Sequence, residues 1–423
     1  MATSLPLEII VNLLSRLTVK DLLRFRSVCR AWRSLIDSPN FIKLHLSHSM
    51  ETATNLGLVL KADELYWVDA ATLRSPLRLH HPIDDGGGGV EVLGCCNGVL
   101  ALLNSSGVVA LWNPSTRRYR KLPISHPDHF PFPVGVFEFS TTGFGYDSVN
   151  DDYKLLRMLP GRKDDILSLC PDVKLYSVKA KTWKTVNGFP SYYGYQAGIG
   201  IFVNEALHWL VCQEPNSYCF IVGFDLVTEE HRDVLLPFYQ DGRFYIKLLE
   251  LGGCLSLVKN YRPEHKNSER AEIWVMKEYG VQESWTKLFS VMPSDVTGAF
   301  DYALPVLHLK SSDQVVMNLG GEKFALYDME RKRIENVTIS GTPNDFKSCV
   351  CVGSLVGFDG GDGEKTAKPK QQPGRKKRGL NWCCEWRPRR KARDVFWDSS
   401  GSMFIWHGKL LMLVAVFPFA FRA

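Results

Sequence analysis

Residues 111–117 read Leu111-Trp112-Asn113-Pro114-Ser115-Thr116-Arg117, an apolar pair followed by a strong turn signal. The same local order recurs: an apolar pair, a turn-forming residue, a short polar turn, then another short strand. It returns as Tyr66-Trp67-Val68-Asp69, Leu175-Tyr176-Ser177, Gly223-Phe224-Asp225, Trp274-Val275-Met276 and Leu326-Tyr327-Asp328. Anchoring each unit at residues 69, 113, 177, 225, 276 and 328 gives spacings of 44, 64, 48, 51 and 52.

Strand-rich units of about 40–50 residues are the signature of β-propellers of kelch or WD type. Five such intervals, one carrying an insertion, predict about six blades over residues 56–357. Glycines at Gly94, Gly98, Gly252-Gly253 and Gly320-Gly321 precede strands, as close approach near the axis of a ring requires. Trp112, Trp183, Trp209, Trp274 and Trp285 fall once or twice per unit and are expected to pack between blades rather than to cage a ligand.

Ahead of the repeats the period changes. Leu5-Pro6-Leu7-Glu8 suits a helix start, and Ile9, Leu13 and Leu17 recur at spacing four with Ile10 and Leu14 beside them. Thr18 to Asp21 reads as an N-cap with an acid three residues on, opening a second helix that carries Leu22, Leu23 and Phe25. Val28, Trp32 and Ile36 repeat the spacing of four, Cys29 and Leu35 lie alongside, and Ser38-Pro39 ends the run. Three helices in so short a span make a small core that favours a partner over part of its apolar surface.

Residues 5–46 resemble an F-box: Leu5-Pro6, Leu14 to Leu17, Leu22 to Phe25, Val28-Cys29, Trp32, Leu35-Ile36, Phe41 and His45-Leu46 match that family's pattern. The resemblance implies docking on the Skp-type adaptor of a cullin ubiquitin ligase, with Leu5, Pro6, Ile9, Leu13, Leu14, Leu22, Leu23, Val28, Cys29 and Trp32 carried over as adaptor-binding. Residues 90–357 resemble the plant type 1 F-box-associated interaction domain. The matching stretches include Gly94-Cys95-Cys96-Asn97-Gly98, Asn113 to Arg117, Phe144-Gly145-Tyr146-Asp147 with Asp151 to Lys154, and Trp274 to Gly280 with Ser284 to Lys287. Some relatives, the immune-regulatory constitutive-expresser-of-PR-genes group among them, restrain immune receptors; others act in pollen self-incompatibility. The implied protein is an α+β multidomain chain: a three-helix F-box (1–45), a linker (46–55), a kelch-like substrate-binding propeller (56–357) and a disordered basic tail (358–423). It would be a non-catalytic receptor that brings an unidentified target to the ligase, in cytoplasm or nucleus. The alternative is a propeller-type carbohydrate-binding or enzymatic module that carries an F-box.

Charge and chemistry narrow the classes. The net charge of +6 divides into +4 over residues 1–45, −6 over 46–357 and +8 over 358–423. An acidic body is a poor general phosphate-backbone binder, so no specific nucleic-acid partner is expected. The 11 cysteines lack regular spacing and no CxxC knuckle occurs, so no metal or cofactor is expected. Asp151-Asp152 reads as a turn rather than an acid/base pair, and His80-His81 with His126 and His129 read as loop histidines. In the tail, Arg375 to Arg378 and Arg387 to Lys391 are basic clusters suited to nuclear import. The apolar run Leu410 to Phe421 is too short to span a bilayer, although it could rest on an anionic membrane surface with Cys383-Cys384 acylated.

Overall fold

Polar side chains open three of the four N-terminal helices: α1 (Leu7–Ser15), α2 (Val19–Phe25), α3 (Arg30–Ile36) and α4 (Pro39–Glu51). The Thr18 hydroxyl oxygen accepts from the Asp21 amide at 3.2 Å, the Cys29 sulfur from Trp32 and the Ser38 hydroxyl from Phe41. The sequence reading expected three helices. Ser38-Pro39 does end α3, but it also starts α4, because a serine N-cap followed by proline in the first turn is a helix start. Helix α4 then occupies residues 46–51, the first part of the expected linker. Leu14, Val19, Leu22, Ile36 and Phe41 form the helical core, together with Leu355 from the far end of the chain.

The computed structural model describes residues 6–84, 89–123, 141–163, 166–187, 198–212, 219–237, 244–261, 271–292, 300, 302–358, 364–366, 395–397, 403–407 and 410–413. The chain divides into two units, Met1–Lys370 and Gln371–Ala423.

In the first unit, β1 (Leu56–Lys61), β2 (Leu65–Asp69) and β3 (Leu77–Leu79) are completed by β24 (Lys347–Val352), which pairs antiparallel with β1 from Leu56–Val352 to Lys61–Lys347. The second sheet holds β4 (Val90–Cys96), β5 (Val99–Asn104), β6 (Val109–Trp112) and β7 (Arg118–Lys121), with β25 (Glu364–Thr366) on the edge of β7. Then come β8 (Thr141–Asp147), β9 (Asp152–Lys163), β10 (Ile166–Ser177) and β11 (Thr182–Thr185), and after them β12 (Ile199–Val203), β13 (Ala206–Cys212), β14 (Cys219–Asp225) and β15 (His231–Val234). Two further four-stranded sheets follow. One is β16 (Phe244–Leu251), β17 (Cys254–Tyr261), β18 (Ala271–Met276) and β19 (Trp285–Val291). The other is β20 (Ala303–Leu309), β21 (Gln314–Leu319), β22 (Lys323–Asp328) and β23 (Arg333–Val337).

Where the spacing predicts about six separate blades, the described strands of this unit form five sheets. The cause is a short parallel pairing of β8 with β12, Thr142 to Ile199 and Gly143 to Gly200, which fuses two antiparallel meanders into one eight-stranded sheet. Glycine permits it: a Cβ on Gly143 would stand 2.8 Å from Trp209, and one on Gly200 2.6 Å from the same ring. Strands β4, β8, β12, β16, β20 and β24 each meet the next, and β24 meets β4, so they close an inner ring.

The six sequence anchors occupy equivalent places: Asp69, Ser177, Asp225, Met276 and Asp328 end β2, β10, β14, β18 and β22, and Asn113 directly follows β6, the third strand outward in each meander. Four residues beyond each anchor the backbone turns left-handed, at Leu73, Arg117, Lys181, Glu229, Gly280 and Lys332. The anchor side chain holds that turn: Asn113 Oδ1 accepts from Ser115 at 2.8 Å, and Asp225 Oδ1 from Val227 at 2.8 Å. Trp112 and Trp285 are buried between sheets and Trp209 between the two meanders of the eight-stranded sheet, while Trp183 and Trp274 are half-buried against the neighbouring cores.

Phe358 and residues 364–366, placed in the tail by the sequence reading, belong to the ring unit instead. Phe358 is buried in the ring core with the Arg120 guanidinium 5.8 Å over its ring, and β25 extends the second sheet. In the second unit β26 (Val395–Trp397), β27 (Met403–His407) and β28 (Leu410–Leu413) form a three-stranded sheet, where the sequence reading expected disorder. Each of these strands is a short, nearly continuous apolar run, rich in β-formers such as Val395, Phe396, Trp397 and Ile405. The basic clusters at 375–378 and 387–391, and Cys383-Cys384, lie outside the described residues.

Candidate adaptor-docking site and its junction with the ring

Helix α1 is apolar on more than one side, and a core of so few residues covers only one. Leu14 turns inward and is buried, whereas Ile9 and Leu13 stay about half exposed. Val28, in the turn between α2 and α3, is 61% exposed, its neighbour Cys29 is exposed too, and so is Pro6 at the start of α1. Leu22 is buried, while Leu23 and Trp32 are half-buried, Trp32 standing edge-on to Phe25 with centroids 5.5 Å apart. Leu5 lies outside the described residues. The nine described residues of the carried-over set thus separate: Pro6, Ile9, Leu13, Val28 and Cys29 face solvent, Leu14 and Leu22 hold the core, and Leu23 and Trp32 do some of each.

Sequence reasoning missed the flank of this surface. Leu7 and Val11 from α1 and Leu44 and His48 from α4 line a cleft of about 420 Å³, with Glu8, Asn12, Ser15 and Arg16 completing it. Leu7 is 65% exposed. The signal was present as two pairs at spacing four, Leu7 with Val11 and Leu44 with His48, which bring side chains onto one helix face. His45, on the inward side of α4, donates Nε2–H to the Leu17 carbonyl at 2.9 Å, and burial lowers its pKa.

Several contacts among the described residues bind the helices to the ring. Lys43 Nζ of α4 reaches Asp151 Oδ2 at 2.7 Å, in the turn between β8 and β9, and that hydrogen bond holds the Asp151 carboxyl below the usual carboxylate range. Ile42 and Leu46 pack on the ring core around Phe144 and Leu155. The Gly353 amide donates to the Asn55 carbonyl at 2.6 Å, just before Leu355 enters the helical core. The Asn113 side-chain amide fixes that segment to the ring, donating to the carbonyls of Ser354 at 3.1 Å and Val356 at 2.8 Å and to the Ser354 hydroxyl.

The expected turn role of Asp151-Asp152 agrees with this geometry. Asp151 faces Lys43 and Tyr146, while Asp152 accepts from the Ser177 hydroxyl and the Lys179 amide. A buried ion cluster lies next to them: Lys154 Nζ contacts Asp147 at 2.8 Å and Glu229 at 3.0 Å, fastening the β8–β9 turn to the β14–β15 turn. Burial works against charge at Asp147, but hydrogen bonds from Lys154 and Asn150 outweigh it and lower the pKa. His126 and His129 lie outside the described residues. Among the described residues, no group of three or more His, Cys, Asp or Glu is placed to hold a metal ion, and no helix is long and apolar enough to cross a membrane.

Fold and surface define a class: a four-helix docking module seated on a closed ring of β-sheets. Residues 3–44 match the F-box domain, and residues 83–358 match the F-box associated beta propeller domain. F-box protein CPR1 of Arabidopsis thaliana is 34% identical, over 84% of this chain and 89% of its own length. The F-box/WD-40 repeat-containing protein 1 of the same plant is 26% identical over 74% of this chain and 76% of its own. The chain belongs to the F-box proteins that carry an F-box-associated β-propeller domain. Among solved structures, an oligogalacturonate lyase in complex with manganese aligns over 66% of this chain and 71% of its own at 12% identity and a TM-score of 0.35, too distant to bear on activity.

Proposed function

We propose that this chain is the target-selecting subunit of a Skp–cullin–F-box ubiquitin ligase, non-catalytic itself. Its helices dock on the Skp-type adaptor, and its propeller, which we count as six blades by dividing the eight-stranded sheet at its two-pair parallel bridge, binds the target. The observation that carries the reading is the set of solvent-facing apolar residues Leu7, Ile9, Leu13 and Val28 on a module whose family match is the F-box. Interfaces of this kind draw most of their energy from a few such anchors in a partner's groove. Ubiquitin transfer belongs to the conjugating enzyme; this subunit supplies proximity. A target within plant defence regulation, met in cytoplasm or nucleus, is what the resemblance of residues 90–357 to the immune-regulatory group implies.

The test is co-purification with a Skp adaptor. Leu13→Asp and Ile9→Asp, both at solvent-facing positions, should abolish capture while the far-ultraviolet spectrum and melting curve stay unchanged. Undiminished capture by the double variant would overturn the docking assignment.

A further inference from the structure

The outer edge of β7 accepts a further strand. Among the described strands, β3, β11, β15, β19 and β23 each end a sheet, whereas β7 has β25 beyond it. Glu364 pairs with Arg120, Lys365 with Tyr119 and Thr366 with Arg118, antiparallel. The opposite edge of β7 is taken by β6, from Ala110–Lys121 to Trp112–Tyr119. The added segment is tethered beside β7 itself. Phe358 packs under the Arg120 guanidinium at 5.8 Å, and residues 359–363 join it to Glu364 in sequence.

Charge sets this edge apart. Strand β7 reads Arg118-Tyr119-Arg120-Lys121, a charge of +3 on four residues. With histidine neutral, the other outer strands carry 0 or +1. Leu77–Leu79, Thr182–Thr185 and Trp285–Val291 hold one lysine or arginine each, and in His231–Val234 and Arg333–Val337 an arginine is offset by an acid. Cations along an edge ordinarily ward off another strand. Here a strand is seated on them, and the sequence leading into it, Asp359-Gly360-Gly361-Asp362-Gly363-Glu364, holds three acids and no base. Opposite charge turns a guarded edge into a selective one. Three backbone pairs are few, because isolated strand pairing is marginal in water. The resident segment therefore stays largely through its tether, and a free segment of the same chemistry can replace it.

We propose that the outer edge of β7 binds an extended acidic segment of the target by strand addition, and that residues 364–366 occupy the edge as its competitor until the target arrives. Strand addition draws affinity from main-chain hydrogen bonds and selectivity from side chains at alternate positions. Arg120 is committed inward, donating to the Val178 carbonyl at 3.3 Å and lying over Phe358. Arg118, half-buried, and Lys121, exposed, stand at the two ends of the strand and are the cations that an incoming acid meets. The inference rests on the reading of the propeller as the target-binding part.

The experiment uses the full chain co-purified with the adaptor and a fluorescein-labelled peptide with the sequence of residues 359–366, followed by fluorescence anisotropy at low ionic strength. The parent should bind the peptide weakly, because its own tethered segment competes at an effective concentration of about millimolar. Glu364→Lys with Lys365→Pro removes that competitor, since proline has no amide to give to a ladder. This variant should bind the peptide about tenfold more tightly. Its β7 amides should exchange faster than the parent's and regain protection when peptide is added. Arg118→Glu with Lys121→Glu on the same background should remove the binding, and the milder Arg118→Gln with Lys121→Gln should weaken it about threefold or more if the reversal melts early. A peptide with its three acids replaced by lysine should not bind. Displaced-segment chains that bind no tighter than the parent, a lysine peptide that binds equally, or neutralised β7 cations that change nothing would each overturn the site. A parent that sediments as a dimer, with the displaced-segment variant a monomer, would give the edge to a second copy's segment and overturn the assignment to a target. Adaptor capture and melting curves are read on the same samples, so failure here is separable from failure of the ligase reading.

Discussion

Asn113 shows how much one side chain can carry. Its oxygen shapes the turn after β6, and its amide nitrogen binds the segment that joins ring and helices. Asn113→Ala would leave the buried carbonyls of Ser354 and Val356 unpaired, so a loss of roughly 2–4 kcal/mol in urea unfolding is expected. The sequence exposed the turn through Asn-Pro, but not the second duty, whose partners lie at the other end of the chain. The left-handed turn positions were also hidden, because Leu73, Arg117, Lys181, Glu229 and Lys332 fill them instead of the glycine or asparagine that turn rules look for. His208 makes a prediction of its own. Its Nδ1–H donates to the Ile201 carbonyl and Nε2 accepts from the Tyr279 hydroxyl at 2.7 Å, so the neutral ring is fully used, and burial pulls its pKa from 6.5 to about 4. Between those values the unfolded chain takes up a proton that the folded one refuses, so stability falls as pH falls from about 6.5 towards 4. Between pH 7 and 5 the loss from His208 should be roughly 2 kcal/mol. His45 adds a loss of the same sign, and His208→Gln should shrink the slope without abolishing it, as urea midpoints at the two pH values would report.

Helix α1 was legible as an element, because Ile9, Leu13 and Leu17 recur every four residues. Which stripe faces the core was not, since leucines occupy several faces and only packing against α4 and Leu355 decides. That division predicts opposite behaviour for similar substitutions. Leu22→Ala removes a fully buried side chain and should cost roughly 2–5 kcal/mol of stability. Leu13→Ala should leave the melting temperature nearly unchanged and weaken adaptor capture instead. Differential scanning calorimetry alongside capture separates the two, and a Leu13→Ala variant that melts early while capturing normally would reverse the assignment. Helix α4 was missed because Ser38-Pro39 was read as a stop alone, although the same dipeptide is a start.

At the scale of the whole molecule, the repeat was readable from its spacing, and the closure was not. Strand β24 pairs with β1 across nearly the full length of the ring, and no local pattern announces a partner so remote. Residues 353–358 continue from that closing strand into two cores at once, Leu355 among the helices and Val356 and Phe358 in the ring. Ending the chain after Phe358 should leave both intact, whereas ending it after Val352 removes three buried apolar side chains worth roughly 1.5–3 kcal/mol each. The longer truncation should therefore lower the melting temperature of the ring and expose the helices to limited proteolysis together. That double membership also sets an order of events on the ribosome. The helices are made first, yet their core lacks Leu355 until the ring has been translated, on the order of tens of seconds later. A complete helical module is thus present only on chains whose ring has been made to its end, so a partner that docks on it would meet finished chains in preference to nascent ones.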